Sequence, residues 1–221
     1  MLKRFDRLSQ RLSDPLLTVL TLMLSFLLFV LGPMQAAGDV TGQHFGYFFG
    51  LVLLPAAFLY SQNLFVAGPI AVALALVVTA ALMEFKQSQR TDLYLDSAAW
   101  LIAGLALSVV VARAVFGPGR ITYHRIAGAV LLYLIIGLTF VALYGFVGLA
   151  VPEAFTNLPT LHGELAVSGN LIYFSFATLT TTGYGDIAPL HPYARSLANV
   201  EAIIGQIYPE TLLAPRANNR L

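Results

Sequence analysis

The chain alternates between long apolar runs and short polar breaks, and the runs set the prediction. Crossing a bilayer takes about 20 apolar residues in a helix. Six runs are read as spanning segments. The first covers about Pro15 to Leu31 and stops at Gly32-Pro33. The second, about Gly46 to Tyr60, is short and interrupted by Pro55. The third runs from about Leu64 to Met83, and the fourth from about Leu95 to Phe116, ahead of Gly117-Pro118-Gly119. The fifth, about Ile126 to Leu149, is strongly apolar and ends before Val151-Pro152-Glu153. The sixth runs from about Pro192 to Ala214 and ends at Pro215. Between the last two lie a polar stretch, Thr156 to Gly169, and a piece from Asn170 to Thr181 that is too short to cross and reads as a re-entrant helix. The pattern predicts an all-α membrane protein with six transmembrane helices, and a re-entrant helix and loop between the fifth and sixth.

Composition agrees. Hydrophobic residues make up 58% of the chain and charged residues 10%, against about 25% charged in a soluble domain. There is no cysteine, which excludes a disulfide framework and any thiolate metal site. A net charge of +1 gives no sign of nucleic-acid binding. The start, Met1-Leu2-Lys3-Arg4, resembles a signal peptide, but the apolar run continues to about Val30 without a clear small-residue cleavage site, so an uncleaved helix is expected.

Charge placement tests the count of spans. With the N-terminus in the cytoplasm and six spans, Lys3, Arg4, Arg7, Arg11, Arg113, Arg120, Arg125, Arg216 and Arg220 fall inside, and only Lys86, Arg90 and Arg195 outside. Cytoplasmic loops carry such an excess of basic residues. Omitting the weak second run would put the Arg113 to Arg125 cluster on the wrong side. Both termini are therefore expected in the cytoplasm of a multi-pass cell-membrane protein. The organisation reads as a cytoplasmic N-terminus (1–14), a four-helix region (15–116), a unit carrying the chemistry (121–215) and a short cytoplasmic tail (216–221).

The chemistry lies in Tyr173-Phe-Ser-Phe-Ala-Thr178-Leu-Thr-Thr-Thr-Gly183-Tyr-Gly-Asp186. A bare potassium ion is stable inside a membrane only where oxygens replace its water. Backbone carbonyls around a narrow tube do this, and the Thr181 hydroxyl can add a lower ring. Successive carbonyls point the same way only if alternate residues take conformations that most side chains forbid and glycine permits. That accounts for Gly183 and Gly185, with the bulky Tyr184 turned outward. One strand supplies one wall, so four copies enclose an ion.

This segment resembles the selectivity filter of the tetrameric pore-loop potassium channels. The resemblance extends over about residues 121 to 215 as outer helix, pore helix, filter and inner helix. A pore helix precedes the family's filter, and Ser168 to Thr180 is placed for it. An acidic residue follows, matched by Asp186. A proline three further on is matched by Pro189, an arginine nine further on by Arg195, and an inner-helix glycine by Gly205. The resemblance implies potassium ions held at Thr181, Thr182, Gly183 and Tyr184, with Gly185 completing the filter. Tyr173, Asp186 and Arg195 are then its supports, and Gly205, Gln206, Pro209 and Glu210 the hinge and gate candidates. It also implies a homotetramer in the bilayer, with potassium as the permeant ion and no cofactor.

Some residues depart from the family. Thr182 stands where valine or isoleucine is usual; its carbonyl still coordinates, but its hydroxyl needs a partner. Ala177 occupies a position where some relatives place a glutamate. Tyr173-Phe174 replaces an aromatic pair that is often tryptophan. The fourth helix has only Arg113, near its cytoplasmic end, and lacks the arginine row that couples a sensor to voltage.

The remaining polar residues have two readings each. Glu210 follows Gln206 by four positions and so shares its helix face; it is either one of a ring of carboxylates at the cytoplasmic mouth or a solvated helix-end residue. Pro209 either kinks the inner helix near Gly205 or only adjusts packing. Glu201, near mid-membrane, is expected to be a structural carboxyl hydrogen-bonded behind the pore helix, where it can sit protonated. His44, His124, His162 and His191 show no metal-ligand spacing. The expected function is passive potassium conduction without covalent chemistry. The alternatives are a weakly selective cation channel of the same architecture and a potassium transporter subunit. A membrane enzyme would need paired histidine or carboxylate motifs, and none is found.

Overall fold

The structure is a computed structural model, and it describes residues 17–36, 90–117, 122–158 and 169–217. The second and third apolar runs lie outside the described residues, as do the first residues of the N-terminus and the end of the tail. The described residues form five helical elements and no strand, apart from an isolated bridge between Phe155 and Pro189. We label them α1 (17–36), α2 (Arg90–Phe116), α3 (Tyr123–Ala150), α4 (Gly169–Leu179) and α5 (Pro192–Ala217).

Among the described residues, three stretches are long and apolar enough to cross a membrane: Leu17–Met34 in α1, Ser97–Phe116 in α2 and Tyr123–Ala150 in α3. α5 is not among them, and Arg195, Glu201 and Glu210 interrupt its apolar character.

Helix bounds depart from the apolar runs where hydrogen bonding, and not hydropathy, decides. α1 passes through Gly32-Pro33 and ends at Ala36. Proline lacks an N–H and disrupts a regular ladder. Here the helix widens to a π turn over Leu27–Leu31, and the Gly32 N–H reaches back five residues to the Leu27 carbonyl. Such π turns let a helix absorb an irregularity without ending. α2 begins at Arg90, earlier than its apolar run, and α5 continues through Pro209 and Pro215 to Ala217.

By compactness the chain divides into two units, Met1–Ala75 with Ile102–Ile135, and Leu76–Leu101 with Ile136–Leu221. In the first unit, Leu17, Leu20, Leu24 and Leu28 are buried at helical spacing on α1, as are Ala103, Ala106, Leu107, Val110 and Val111 on α2. Two polar contacts tie α1 to the start of α3: Thr18 Oγ1 lies 2.8 Å from His124 Nδ1, and the Thr21 hydroxyl lies 2.9 Å from the Ala127 carbonyl. Arg125 donates to the Gly117 carbonyl at 2.7 Å, where α2 ends. Carbonyls at a helix end lack intrahelical partners, so this arginine has a local structural task.

The second unit is built around an aromatic cluster. Tyr144 of α3, Phe155 of the following loop and Phe174 of α4 meet edge to face, with ring centroids 4.9 to 5.7 Å apart. Each such pair adds about 0.5–1.5 kcal/mol beyond the area it buries. Leu171, Val141, Ala154 and Ala194 close the same core. It fixes α4 against α3 and the start of α5, and so determines where the loop after α4 begins.

Candidate functional site

α4 stops because three β-branched residues follow it. Thr180, Thr181 and Thr182 lose rotamer freedom in a helix, and their hydroxyls compete for backbone partners. The Thr180 hydroxyl donates to the Phe176 carbonyl at 2.7 Å, and the Thr178 hydroxyl to the Phe174 carbonyl at 2.8 Å. The helix end then closes as a Schellman motif. Thr181 N–H bonds the Thr178 carbonyl at 2.9 Å, and Thr182 N–H reaches the Ala177 carbonyl at 2.9 Å. Such a motif needs a left-handed residue, normally glycine. Here Thr181 takes that role at φ 58°, at a cost of about 1–2 kcal/mol for a residue with a β carbon.

The left-handed conformation recurs at every second residue. Gly183 has φ 54° and Gly185 φ 81°, while Thr182 and Tyr184 are not left-handed. A left-handed residue at alternate positions permits successive peptide planes to turn the same way. A β carbon at Gly183 or Gly185 would meet no neighbour within 4 Å in the single chain. The requirement for glycine there is conformational. Residues 180 to 186 are all exposed.

The Thr182 hydroxyl has a partner, Thr180 Oγ1 at 2.9 Å. Because the Thr180 hydroxyl already donates to Phe176, Thr182 is the donor of this pair.

Beyond the loop, the Tyr173 hydroxyl donates to Asp186 Oδ1 at 3.1 Å. The Tyr173 ring lies parallel to Tyr184, with centroids 6.0 Å apart and 10° between planes. The Tyr173 phenol is pushed up from its ordinary value, first by loss of solvent and then by its bond to Asp186. Arg195 donates to the Pro189 carbonyl at 3.1 Å, bracing the segment after the loop and not Asp186 itself.

Sequence reasoning missed a second clip. Asn157 donates to the Asp186 carbonyl at 2.8 Å, the Ala188 N–H bonds the Thr156 hydroxyl at 2.9 Å, and the Leu190 N–H bonds the Ala154 carbonyl at 2.8 Å. The segment after α3 is thus laced to the segment after Gly185. The only available signal was an asparagine, a residue that tolerates the left-handed region, and Asn157 has φ 53°.

The inner-helix candidates separate. Gly205 is buried, and a β carbon there would fall on the backbone of Leu179, with the carbonyl carbon at 2.8 Å and Cα at 3.2 Å. The glycine permits α5 to approach the end of α4. Gln206, Pro209 and Glu210 are exposed on α5.

Comparison with known families adds an independent observation. Residues 128–214 match the ion channel family. The match spans most of α3, the loop, α4 and most of α5, and covers less than half of the chain. It supports ion channel function in general and specifies no ion. Together with the three apolar helices, this similarity supports a membrane protein. No curated protein and no solved structure matches the chain.

Proposed function

We propose that this ion channel domain is one quarter of a potassium-selective pore, with Thr181, Thr182, Gly183, Tyr184 and Gly185 as the filter strand. The observation that carries the reading is the left-handed conformation at Thr181, Gly183 and Gly185. A residue with a β carbon adopts it only at a cost, and its recurrence at alternate positions suits a strand whose carbonyls face one axis. Potassium, which sheds water at modest cost, fits rings of such carbonyls.

Assembly follows from the same strand. A single copy leaves the loop exposed, and unsatisfied backbone groups in a bilayer cost several kcal/mol each. Four copies around an axis turn those carbonyls onto shared ions. α4 then serves as the re-entrant pore helix and α5 as the inner helix, whose polar residues suit a water-filled path better than lipid. On this reading the chain crosses the membrane six times, with Lys3 and Arg216 on the cytoplasmic side. Permeation is passive, by dehydration at the carbonyl rings and repulsion between neighbouring ions.

The test is ion binding to the purified protein in detergent, by titration calorimetry with potassium and with sodium, alongside native mass measurement. Saturable heat with potassium and little with sodium, on a four-subunit assembly, is expected. Equal heats for both ions would favour a weakly selective cation channel, and a stable monomer would remove the shared filter.

A further inference from the structure

Glu201 lies on α5, in the second unit, and is fully buried. Tyr144 of α3 and Ser175 of α4 are fully buried against it. Tyr144 Oη lies 2.5 Å from Glu201 Oε2, and Ser175 Oγ lies 2.5 Å from Glu201 Oε1. Ser175 Oγ also lies 2.9 Å from the Gly137 carbonyl of α3. One carboxyl therefore joins three helices. Tyr144 and Ser175 are the polar groups facing it, and no cation pairs with it among the described residues.

The protons can be counted. The Tyr144 hydroxyl has one, and uses it toward Oε2. The Ser175 hydroxyl also has one, with two oxygens in reach. The Gly137 carbonyl brings no proton, so that bond takes the serine's own. The contact between Ser175 Oγ and Glu201 Oε1 is then bridged only by a proton on the glutamate. With the carboxyl neutral, every proton has one acceptor, in the order Glu201 to Ser175 to Gly137. With the carboxyl charged, either the Gly137 contact has no proton or the Glu201 contact has none. An uncompensated charge would also be held away from water without a counter-ion, which is costly.

Its place in the fold gives this link a task. Ser175 lies two residues before Ala177, whose carbonyl accepts the N–H groups of Thr182 and Gly183 at 2.9 and 3.1 Å. Glu201 lies one helical turn before Gly205, which seats α5 on Leu179. We propose that Glu201, as a neutral carboxylic acid, is the positioning residue that fixes the inner helix to the pore helix and thereby holds the filter strand in register. The proposal rests on the filter reading for its effect on conduction. The protonation state does not depend on that reading.

Glutamine discriminates between the two states. Its amide can accept from Tyr144 and donate to Ser175, as a neutral acid does, whereas a charged carboxylate accepts at both places. In infrared spectra of the purified protein, the carbonyl stretch of a protonated carboxyl should be present and should vanish in Glu201→Gln. In liposomes, Glu201→Gln should keep the potassium-to-sodium flux ratio of the unmodified channel. Tyr144→Phe and Ser175→Ala each lose one buried bond, and each should lower that ratio about tenfold, the equivalent of about 1.4 kcal/mol. A missing band, or a Glu201→Gln channel as impaired as Ser175→Ala, would overturn the proposal. A wild-type protein passing no potassium would remove the filter reading, and the infrared band would still decide the state of the carboxyl.

Discussion

Replacing Gly205 with alanine puts one methyl into the close contact between α5 and the end of α4. The new β carbon would stand 2.8 Å from the Leu179 carbonyl carbon and 3.2 Å from its Cα, with the carbonyl oxygen closer still. Ordinary contact begins near 3.4 Å, and the obstacle is backbone, which cannot rotate aside as a side chain can. α5 must therefore withdraw from the end of α4. Overpacking of this kind costs about 1–3 kcal/mol, and withdrawal would also stretch the Glu201 to Ser175 bond one turn away. For a domain of this size, about 1 kcal/mol shifts Tm by about 2–4 °C, so a midpoint loss of about 2–12 °C is expected, measured by thermal unfolding in detergent. Gly32→Ala is the internal control: its β carbon would meet only the Leu27 carbonyl oxygen, at 3.5 Å, and helix propensity favours alanine. A Gly205→Ala protein as stable as Gly32→Ala would refute the close-approach argument.

Three further outcomes follow from the loop. Gly185→Ala forces a β carbon to φ 81°, at about 1–3 kcal/mol per strand, and should abolish selective potassium flux while leaving membrane insertion intact; unchanged selectivity would contradict the strand geometry. Thr182→Val removes only the hydroxyl bonded to Thr180 and restores the residue usual in the resembling family, so selectivity measured by flux should persist within a few-fold. Tyr173→Phe removes the bond to Asp186; because the pair is exposed, its contribution is below the about 1.5–3 kcal/mol of a buried charged bond, and the visible effect should be shortened open times in single-channel recordings.

Much of α4 and the loop after it was legible because the constraints there are local. Three threonines end a helix and two alternate glycines permit left-handed backbone, so the helix-to-loop sequence of residues 169 to 186 can be read from residue types. The donor opposite Asp186 was reachable as well, since Tyr173 is the aromatic hydroxyl on the preceding helix, thirteen residues earlier. Glu201 announced itself as a carboxyl in an apolar helix. Its partners did not, because Tyr144 and Ser175 are separated from it by 57 and 26 residues and are unremarkable in their own runs. The lacing of Thr156 and Asn157 to the segment after Asp186 is non-local in the same way. The close approach of Gly205 to Leu179 is hidden because a sequence does not reveal what lies across a helix interface. Thr181 in the left-handed region was hidden by its own type, since a β-branched residue argues against that conformation.

The central claim is most directly tested by flux. Purified protein in liposomes, with a potassium gradient in one set and a sodium gradient in another, should pass potassium and hold back sodium, and the Gly185→Ala protein should lose that preference. Equal passage of both ions by the wild-type protein, or a preference untouched by Gly185→Ala, would contradict the assignment of residues 181 to 185 as a potassium filter.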